Sequence, residues 1–285
     1  MDKAKGNRFQ YWGVSMKGGE PKTALVVGGR GYLGRYICRN FLAAGMDVYS
    51  ADLPVQSKAA QSSEDEFLNL GQIDLDIQVT DPDSVKAVFD AIPNPVDTLV
   101  YAATTKPFDF YKPLTSCSLE GWSSVLDVEL NGLFLLVREA GKVMEAQNQG
   151  NIILISSIYG IVGNDQRLYK GSNLHELYGD GDIEEQSQPY SHPVYAAAKG
   201  AVVALSKYFA CYWQGQNIRV NCVSPGGIHH PGENEEFLQK YSEKVPLGRK
   251  GDPQEVADAV SFLAGSESGY VNGHNLVVDG GFTIW

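Results

Sequence analysis

Seven short apolar runs, spaced by longer segments of helical period, constrain this chain more than any other feature. They are Thr23–Val27, Asp47–Ala51, Ile73–Val79, Asp97–Ala102, Asn151–Ile155, Asn217–Cys222 and Asn275–Val278. Runs this short, with little polar alternation, suit strands buried on both faces. Strands that alternate with helices build a parallel sheet covered on either side. Leu33, Ile37 and Phe41 recur at four-residue spacing and mark the stripe of a first helix. Asp81-Pro82 and Asp252-Pro253 each read as an N-cap followed by proline at the first helical position. The expected fold class is α/β, a doubly wound parallel sheet in a single domain, and 285 residues can bury one such core.

Residues 1–20 read as a tail outside that fold, with Phe9, Tyr11 and Trp12 available to dock on a neighbour. Residues 21–285 form the expected domain. Residues 161–192 break its rhythm, being glycine-rich, polar and aperiodic. A loop of that length inside a compact domain is usually functional, so we expect an inserted substrate loop or lid.

Charge and composition exclude several roles. A formal net charge of -11 repels phosphate backbones, so neither nucleic acid nor an anionic membrane is an expected partner. The longest apolar runs fall far short of a membrane span, and the first residues lack the apolar core of a signal peptide. Cys38, Cys117, Cys211 and Cys222 show no metal-ligand spacing, so they are expected to be free thiols in a reducing, cytoplasmic setting, with no metal site.

The chemistry concentrates at strand ends. Thr23–Val27 runs into Gly28-Gly29-Arg30-Gly31-Tyr32-Leu33-Gly34. Gly28 permits a tight turn, Gly31 lets backbone N–H groups approach a pyrophosphate, and Gly34 lets the helix pack close to the sheet. The helix N-terminus then faces the phosphates. Asp52 ends the second strand, where a carboxylate accepts from ribose hydroxyls and repels a 2′-phosphate. Arg30 argues the other way, as a cation that meets a 2′-phosphate. The expected cofactor is therefore NAD in preference to NADP. Tyr195 and Lys199 share one face of a helix over Val194–Tyr212. An ammonium beside a phenol favours the phenolate, which equips the pair to move the proton of a carbonyl/alcohol couple while a nicotinamide exchanges hydride. Ser157 follows the strand Asn151–Ile155, on the rim where ligands bind in open α/β sheets.

These elements occur in a recognisable order: the glycine turn, Ser157, Tyr-Ala-Ala-Ala-Lys (195–199), Arg-Val-Asn-x-x-x-Pro-Gly (219–226), Pro-Leu-Gly-Arg (246–249) and Val-Asn-Gly-His-Asn-Leu-Val-Val-Asp-Gly-Gly (271–281). Over about residues 22–282 the chain resembles a short-chain dehydrogenase/reductase of the single-domain, Rossmann-like branch. The resemblance implies Ser157 as the substrate-orienting residue, Tyr195 as acid/base, and Lys199 as tyrosine activator and ribose ligand. It implies Tyr32, Leu33, Ala102, Ala103, Pro225, Gly226 and Ile228 around the cofactor, and a homodimer or homotetramer assembled through the apolar Leu133–Val137 segment and the Tyr195 helix. Some positions depart from the family pattern. The Gly-x-x-Gly-x-x-Gly spacing is more like the epimerase/dehydratase branch. Glu129 stands where the catalytic asparagine is expected, with Asn131 on a different helix face. Tyr101-Ala102-Ala103-Thr104, Gln78 and His230 replace other family residues.

Ser-Ser-Ile-Tyr-Gly, the inserted loop and Ser-Pro-Gly-Gly-Ile are most similar to the bacterial flagellin-modification dehydrogenases of nonulosonic-sugar pathways. That likeness implies a sugar phosphate or nucleotide sugar as substrate, with Arg167, Lys170 and His175 as phosphate ligands. His192, His229 and His230 lie near the expected site. Two other readings stand beside the oxidoreductase: a sugar-nucleotide epimerase or dehydratase with tightly held NAD, and a non-catalytic cofactor-binding scaffold.

Overall fold

A computed structural model describes residues 21–54, 71–178 and 188–285. The expected tail and its aromatics lie outside the described residues. Seven parallel strands form one sheet: β1 (Thr23–Val27), β2 (Asp47–Asp52), β3 (Ile73–Asp76), β4 (Thr98–Tyr101), β5 (Gln149–Ile155), β6 (Asn217–Pro225) and β7 (Asn275–Val278), in the order β3-β2-β1-β4-β5-β6-β7. The winding reverses at β1, which pairs with β2 on one side and β4 on the other. Such a reversal opens a crevice at the C-terminal strand ends, where ligands bind in sheets of this kind.

Alternation along the strands divides the interior into two layers. Leu25, Val27, Leu99, Tyr101, Ile152, Leu154 and Val220 face α2 (Pro82–Ala91), α4 (Leu133–Gln147) and α6 (Pro193–Tyr212). Ala24, Val26, Val100, Ile153 and Val223 face α1 (Gly34–Ala43) and α8 (Pro253–Ala264). The helix signals act as expected. Asp81 accepts from the Asp83 N–H, and Asp252 forms a capping box with Glu255. Leu33 gives α1 no side-chain cap; the Arg35 and Tyr36 N–H groups donate to the Gly31 and Leu33 carbonyls, so a ligand at this terminus would meet the N–H groups before them.

Three expectations change. β3 stops at Asp76 rather than Val79, because the Gln78 N–H already donates to the Ser84 hydroxyl as the chain turns into α2. β3 is also largely exposed, as an edge strand, rather than buried on both faces. The inserted segment, expected as an aperiodic loop, has regular structure over its described part. It carries a 3₁₀ turn (Gln166–Tyr169) and α5 (Leu174–Tyr178), and buries Leu168, Tyr169 and Leu174 against Phe110, Tyr111 and the Phe237 and Tyr241 side chains of α7 (Glu235–Ser242). Residues 179–187 of that segment lie outside the described residues. Among the described residues no helix is long and apolar enough to cross a membrane.

Candidate active site

The floor of the site is the junction of β5 with α6. The Ser156 hydroxyl donates to the Lys199 carbonyl at 2.7 Å and ties the helix to the strand end. Gly160 lies so close to the Lys199 backbone that a Cβ there would meet it at 2.6 Å. These contacts set the depth of the lysine. Its Nζ donates to Glu129 Oε2 at 2.7 Å and to the Ile155 carbonyl at 3.2 Å, with both charged side chains almost fully buried. Burial disfavours the ammonium, but the Glu129 carboxylate outweighs it and holds the Lys199 pKa above its ordinary value. Two of the three ammonium protons are thus placed, leaving the third for a phenol or a ribose hydroxyl.

Tyr195 sits one helical turn before Lys199, whose Nζ lies 5.6 Å from the tyrosine ring centroid. Phe110 meets that ring edge-on at 6.0 Å and walls the phenol. Ser157 is buried at the end of β5. Its Oγ accepts from the Tyr159 N–H at 3.2 Å, which leaves the hydroxyl proton free to donate. His192 caps α6 through Nδ1, accepting from the Val194 N–H, and stacks on Phe110. It is a buried helix cap, and burial pushes its pKa down.

Glu129 arrives by an unusual route. Between α3 (Leu119–Leu126) and α4 the helix widens into a π turn over Asp127–Gly132. Such turns carry an extra residue and often mark functional sites. The Tyr101 hydroxyl donates to the Val128 carbonyl at 2.5 Å, and Gly132 gives the tyrosine room. Glu129 therefore points into the core, where its second oxygen accepts from the Thr104 hydroxyl at 2.7 Å. Asn131 stays exposed and donates to Asp127, outside the site as its helix face requires.

The cofactor crevice lies beside this group. Gly28 has φ +80°, and a Cβ there would meet the Ala102–Ala103 backbone at 2.8 Å. A Cβ on Gly34 would come within 2.0 Å of the Gly28 carbonyl. The turn is thus a cradle only glycine can line, at an uncapped helix start, and it fits a dinucleotide pyrophosphate. Leu33 anchors the turn in the α1 layer. The Tyr32 hydroxyl donates to the His229 carbonyl at 2.7 Å, tying the turn to the loop after Pro225, Gly226 and Ile228. Arg30 does not project as a free cation. Its guanidinium pairs with Asp76 at 2.9 Å and donates to the carbonyls of Asp52, Leu53 and Leu75. Asp52 accepts from the N–H groups of Arg30 and Leu53 and remains half-exposed at the crevice. Gln78 is exposed.

The expected phosphate ligands are not gathered here. The Arg167 guanidinium is bound to Asp165 through two donors, and His175 lies 3.7 Å from Glu176. Sequence reasoning marked Thr104 as a departure from the family pattern but not as the partner of Glu129, and it missed Asp76, Lys106, Glu233 and Lys250, which only the folded chain brings to the site.

The comparisons agree with this geometry. A family model for short chain dehydrogenases matches residues 22–172, and one described as enoyl-(acyl carrier protein) reductase matches residues 182–283. The chain is 30% identical over 270 residues to a 3-oxoacyl-(acyl-carrier-protein) reductase of Thermotoga maritima, covering 93% of this chain and 99% of that one. It is 30% identical to a D-threitol dehydrogenase of Mycolicibacterium smegmatis, covering 92% and 93%. A solved structure of a short chain dehydrogenase from Leptospira borgpetersenii with bound NAD+ superposes with a TM-score of 0.76 at 30% identity, covering 92% of this chain and 93% of that one. A glycine cradle at the sheet's reversal, a Tyr-x-x-x-Lys helix beside it and relatives matched end to end make this chain a member of the short-chain dehydrogenase/reductase family, an NAD(P)-dependent oxidoreductase.

Proposed function

We propose that this protein exchanges hydride with a hydroxyl or keto group of a polar sugar derivative, in the finer form of that reading a sugar phosphate or nucleotide sugar, with NAD as the preferred cofactor. The observation that carries the reading is the buried Lys199, fixed by Glu129 and Ile155 one turn from Tyr195. In this reading the Ser157 hydroxyl donates to the substrate oxygen and orients it. Tyr195 gives or takes the hydroxyl proton at its phenolic oxygen. Lys199 holds the phenolate electrostatically and turns its third proton to the phenol or to the cofactor ribose. Glu129 keeps Lys199 charged, and its Thr104 contact leads from the buried pair towards solvent. Gly28–Gly34 would hold the cofactor's pyrophosphate, Ala102 and Ala103 would line its crevice, and Pro225, Gly226 and Ile228 would hold the nicotinamide, which would supply or accept the hydride. The Arg30–Asp76 pair supports NAD: it leaves Asp52 as the group facing the ribose.

Residues 21–285 are read as the catalytic domain and 161–192 as its substrate loop. The buried free thiols Cys38 and Cys222 favour a cytoplasmic setting. A homo-oligomer through α4 and α6 is supported by exposed Phe134, Tyr208 and Tyr212, which line a groove of about 340 Å³ with Trp213.

The test is a fluorescence titration of the protein with NADH and NADPH, followed by an NAD+-linked screen of polyols, sugar phosphates and nucleotide sugars. Tighter NADH binding and net turnover that disappears in Tyr195→Phe are expected. Binding of neither cofactor refutes the reading. Turnover of substrate without net change in cofactor moves it to the epimerase class.

A further inference from the structure

A second group of charges lies off the catalytic floor, on the wall built by the inserted segment. Lys106 follows β4 by a few residues. Its Nζ rests 3.5 Å from the Tyr178 ring centroid and 5.9 Å from that of Tyr111. Tyr111 adjoins Phe110, the ring that walls Tyr195, and Tyr178 packs on His230, which in turn packs on Tyr32 of the glycine turn. Lys106 therefore stands between the catalytic tyrosine and the rim of the crevice.

Among the described residues its ammonium makes no ion pair. Lys106 is exposed to solvent, yet burial of the ammonium by the surrounding wall pushes its pKa down to about 8. Among the described residues no oxygen accepts from its ammonium. The carboxylate it feels most is Glu233, which is nearly fully buried and already committed: Oε1 to Lys250 Nζ at 2.5 Å, Oε2 to the His230 N–H at 3.2 Å. Lys250 faces the opposite way, over Phe237 and Tyr241. Other cations nearby also have partners: Arg167 has Asp165 and Lys240 has Glu236. An aromatic face attracts a cation but does not neutralise it. Among the described residues one positive charge is left over on the aromatic wall that runs through Tyr111 and Phe110 to Tyr195.

We propose that Lys106 is the anion seat of the substrate pocket, taking a phosphate monoester or carboxylate on the molecule whose hydroxyl lies at Ser157 and Tyr195. The proposal rests on the oxidoreductase reading for the second half of that sentence only. The charged and titratable groups facing Lys106 are Tyr111, Tyr178, Glu233 and Lys250, with His230 behind Tyr178 and His229 beside Glu233. Burial pushes both tyrosines up, so they stay neutral, and Glu233 and Lys250 cancel one another. Lys106 is thus the group whose charge changes near pH 8. The seat is charged below that pH and emptied of charge above it.

The experiment is calorimetric titration of the full chain, saturated with NAD+, with sorbitol, gluconate and sorbitol 6-phosphate at pH 7 and pH 9. The charge on gluconate is constant over that interval and that on sorbitol 6-phosphate becomes slightly more negative, so a preference that shrinks at pH 9 comes from the protein. At pH 7 at least one anionic probe is expected to bind about tenfold or more tighter than sorbitol. Preference for sorbitol 6-phosphate assigns the seat to phosphate monoesters; preference for gluconate assigns it to carboxylates. The preference should vanish in Lys106→Met, survive in Lys106→Arg and shrink at pH 9. Equal binding of all three probes overturns the proposal, as does a preference that persists in Lys106→Met. If the methionine variant does not fold, as judged by NADH binding, the pH arm on the wild-type chain decides: an unchanged preference at pH 9 overturns it. A Lys106-dependent preference without turnover of any probe sinks the assignment of substrate and leaves the seat. Turnover of sorbitol with no anion preference does the reverse.

Discussion

Glu129→Gln removes one charge from a pair whose side chains are 1% and 5% exposed. At 2.7 Å and an effective dielectric of about 20, Coulomb's law gives roughly 6 kcal/mol of attraction, part of which desolvation takes back. Breaking such a pair by neutralising one partner typically costs about 3–5 kcal/mol, because the other charge stays buried. The glutamine still accepts from Thr104 or Lys199, which places this variant near the low end, about 3 kcal/mol. For a chain of this size that is a fall in Tm of roughly 6–12 °C. Thermal and urea unfolding measure it. The sign with pH follows from Lys199, whose pKa is raised in the fold. Stability from a raised lysine is fully present below its unfolded value of about 10.4 and is lost as pH rises through the folded one. The cost should therefore be constant from pH 6 to 9. A structural defect alone would stop there. Loss of the carboxylate also removes the main opposition to burial at Lys199, with Tyr195 and Cys222 left to oppose it, so the basic limb of the kcat/KM profile should move to lower pH. A cost below about 1 kcal/mol, or an unmoved basic limb, refutes the account.

Further outcomes follow from the same geometry. Tyr195→Phe should lower kcat about 10²–10⁴-fold while shifting stability by less than about 1 kcal/mol, read by steady-state turnover and urea unfolding. Gly34→Ala should abolish NADH binding in a fluorescence titration, since its Cβ would sit 2.0 Å from the Gly28 carbonyl; retained affinity would show that the turn is slack. Asp52→Ser should reduce the preference for NADH over NADPH by about tenfold, the equivalent of about 1.4 kcal/mol at the ribose. Tyr208→Glu with Tyr212→Glu should yield monomers in sedimentation if α4 and α6 form the assembly surface.

What the sequence revealed depended on how local the cause was. β1 and β7 end where their apolar runs end, and the proline-started helices α2 and α8 begin where their caps stand, because a cap and the residues it satisfies lie within one turn. Tyr195 and Lys199 were readable as a pair for the same reason: the helical period alone puts them together. Arg30 was legible as a residue but not as a role. Whether it meets a 2′-phosphate or a carboxylate depends on Asp76, 46 residues away at the end of a different strand. The turns inside the inserted segment are not legible because its apolar residues, Leu168, Tyr169 and Leu174, fit no single period. They pack against α7, and that partner is visible only in three dimensions. Glu129 and Thr104 are each legible as departures from the family pattern, but that they are partners is visible only in three dimensions, 25 residues apart.

The departures from the family pattern depend on one another. A carboxylate at position 129 in this buried corner is tolerable only if both oxygens have partners, and Lys199 and Thr104 supply them. Thr104 reaches it from the segment after β4, where Tyr101 also stands. Tyr101 holds the Val128 carbonyl that the π turn presents, and the π turn sets the rotation that aims Glu129 inward. Restoring asparagine at 129 alone would leave the Lys199 charge without its counterion and the Thr104 hydroxyl with a neutral acceptor. Its expected cost is at least that of Glu129→Gln, since asparagine is also one methylene short of Lys199. The double variant Glu129→Asn with Thr104→Gly should cost less than the sum of the two single changes, because the threonine's bond is already compromised in the first. A double-mutant cycle in urea unfolding measures the coupling. Strict additivity within about 0.3 kcal/mol would mean that Thr104 and Glu129 are neighbours without being partners.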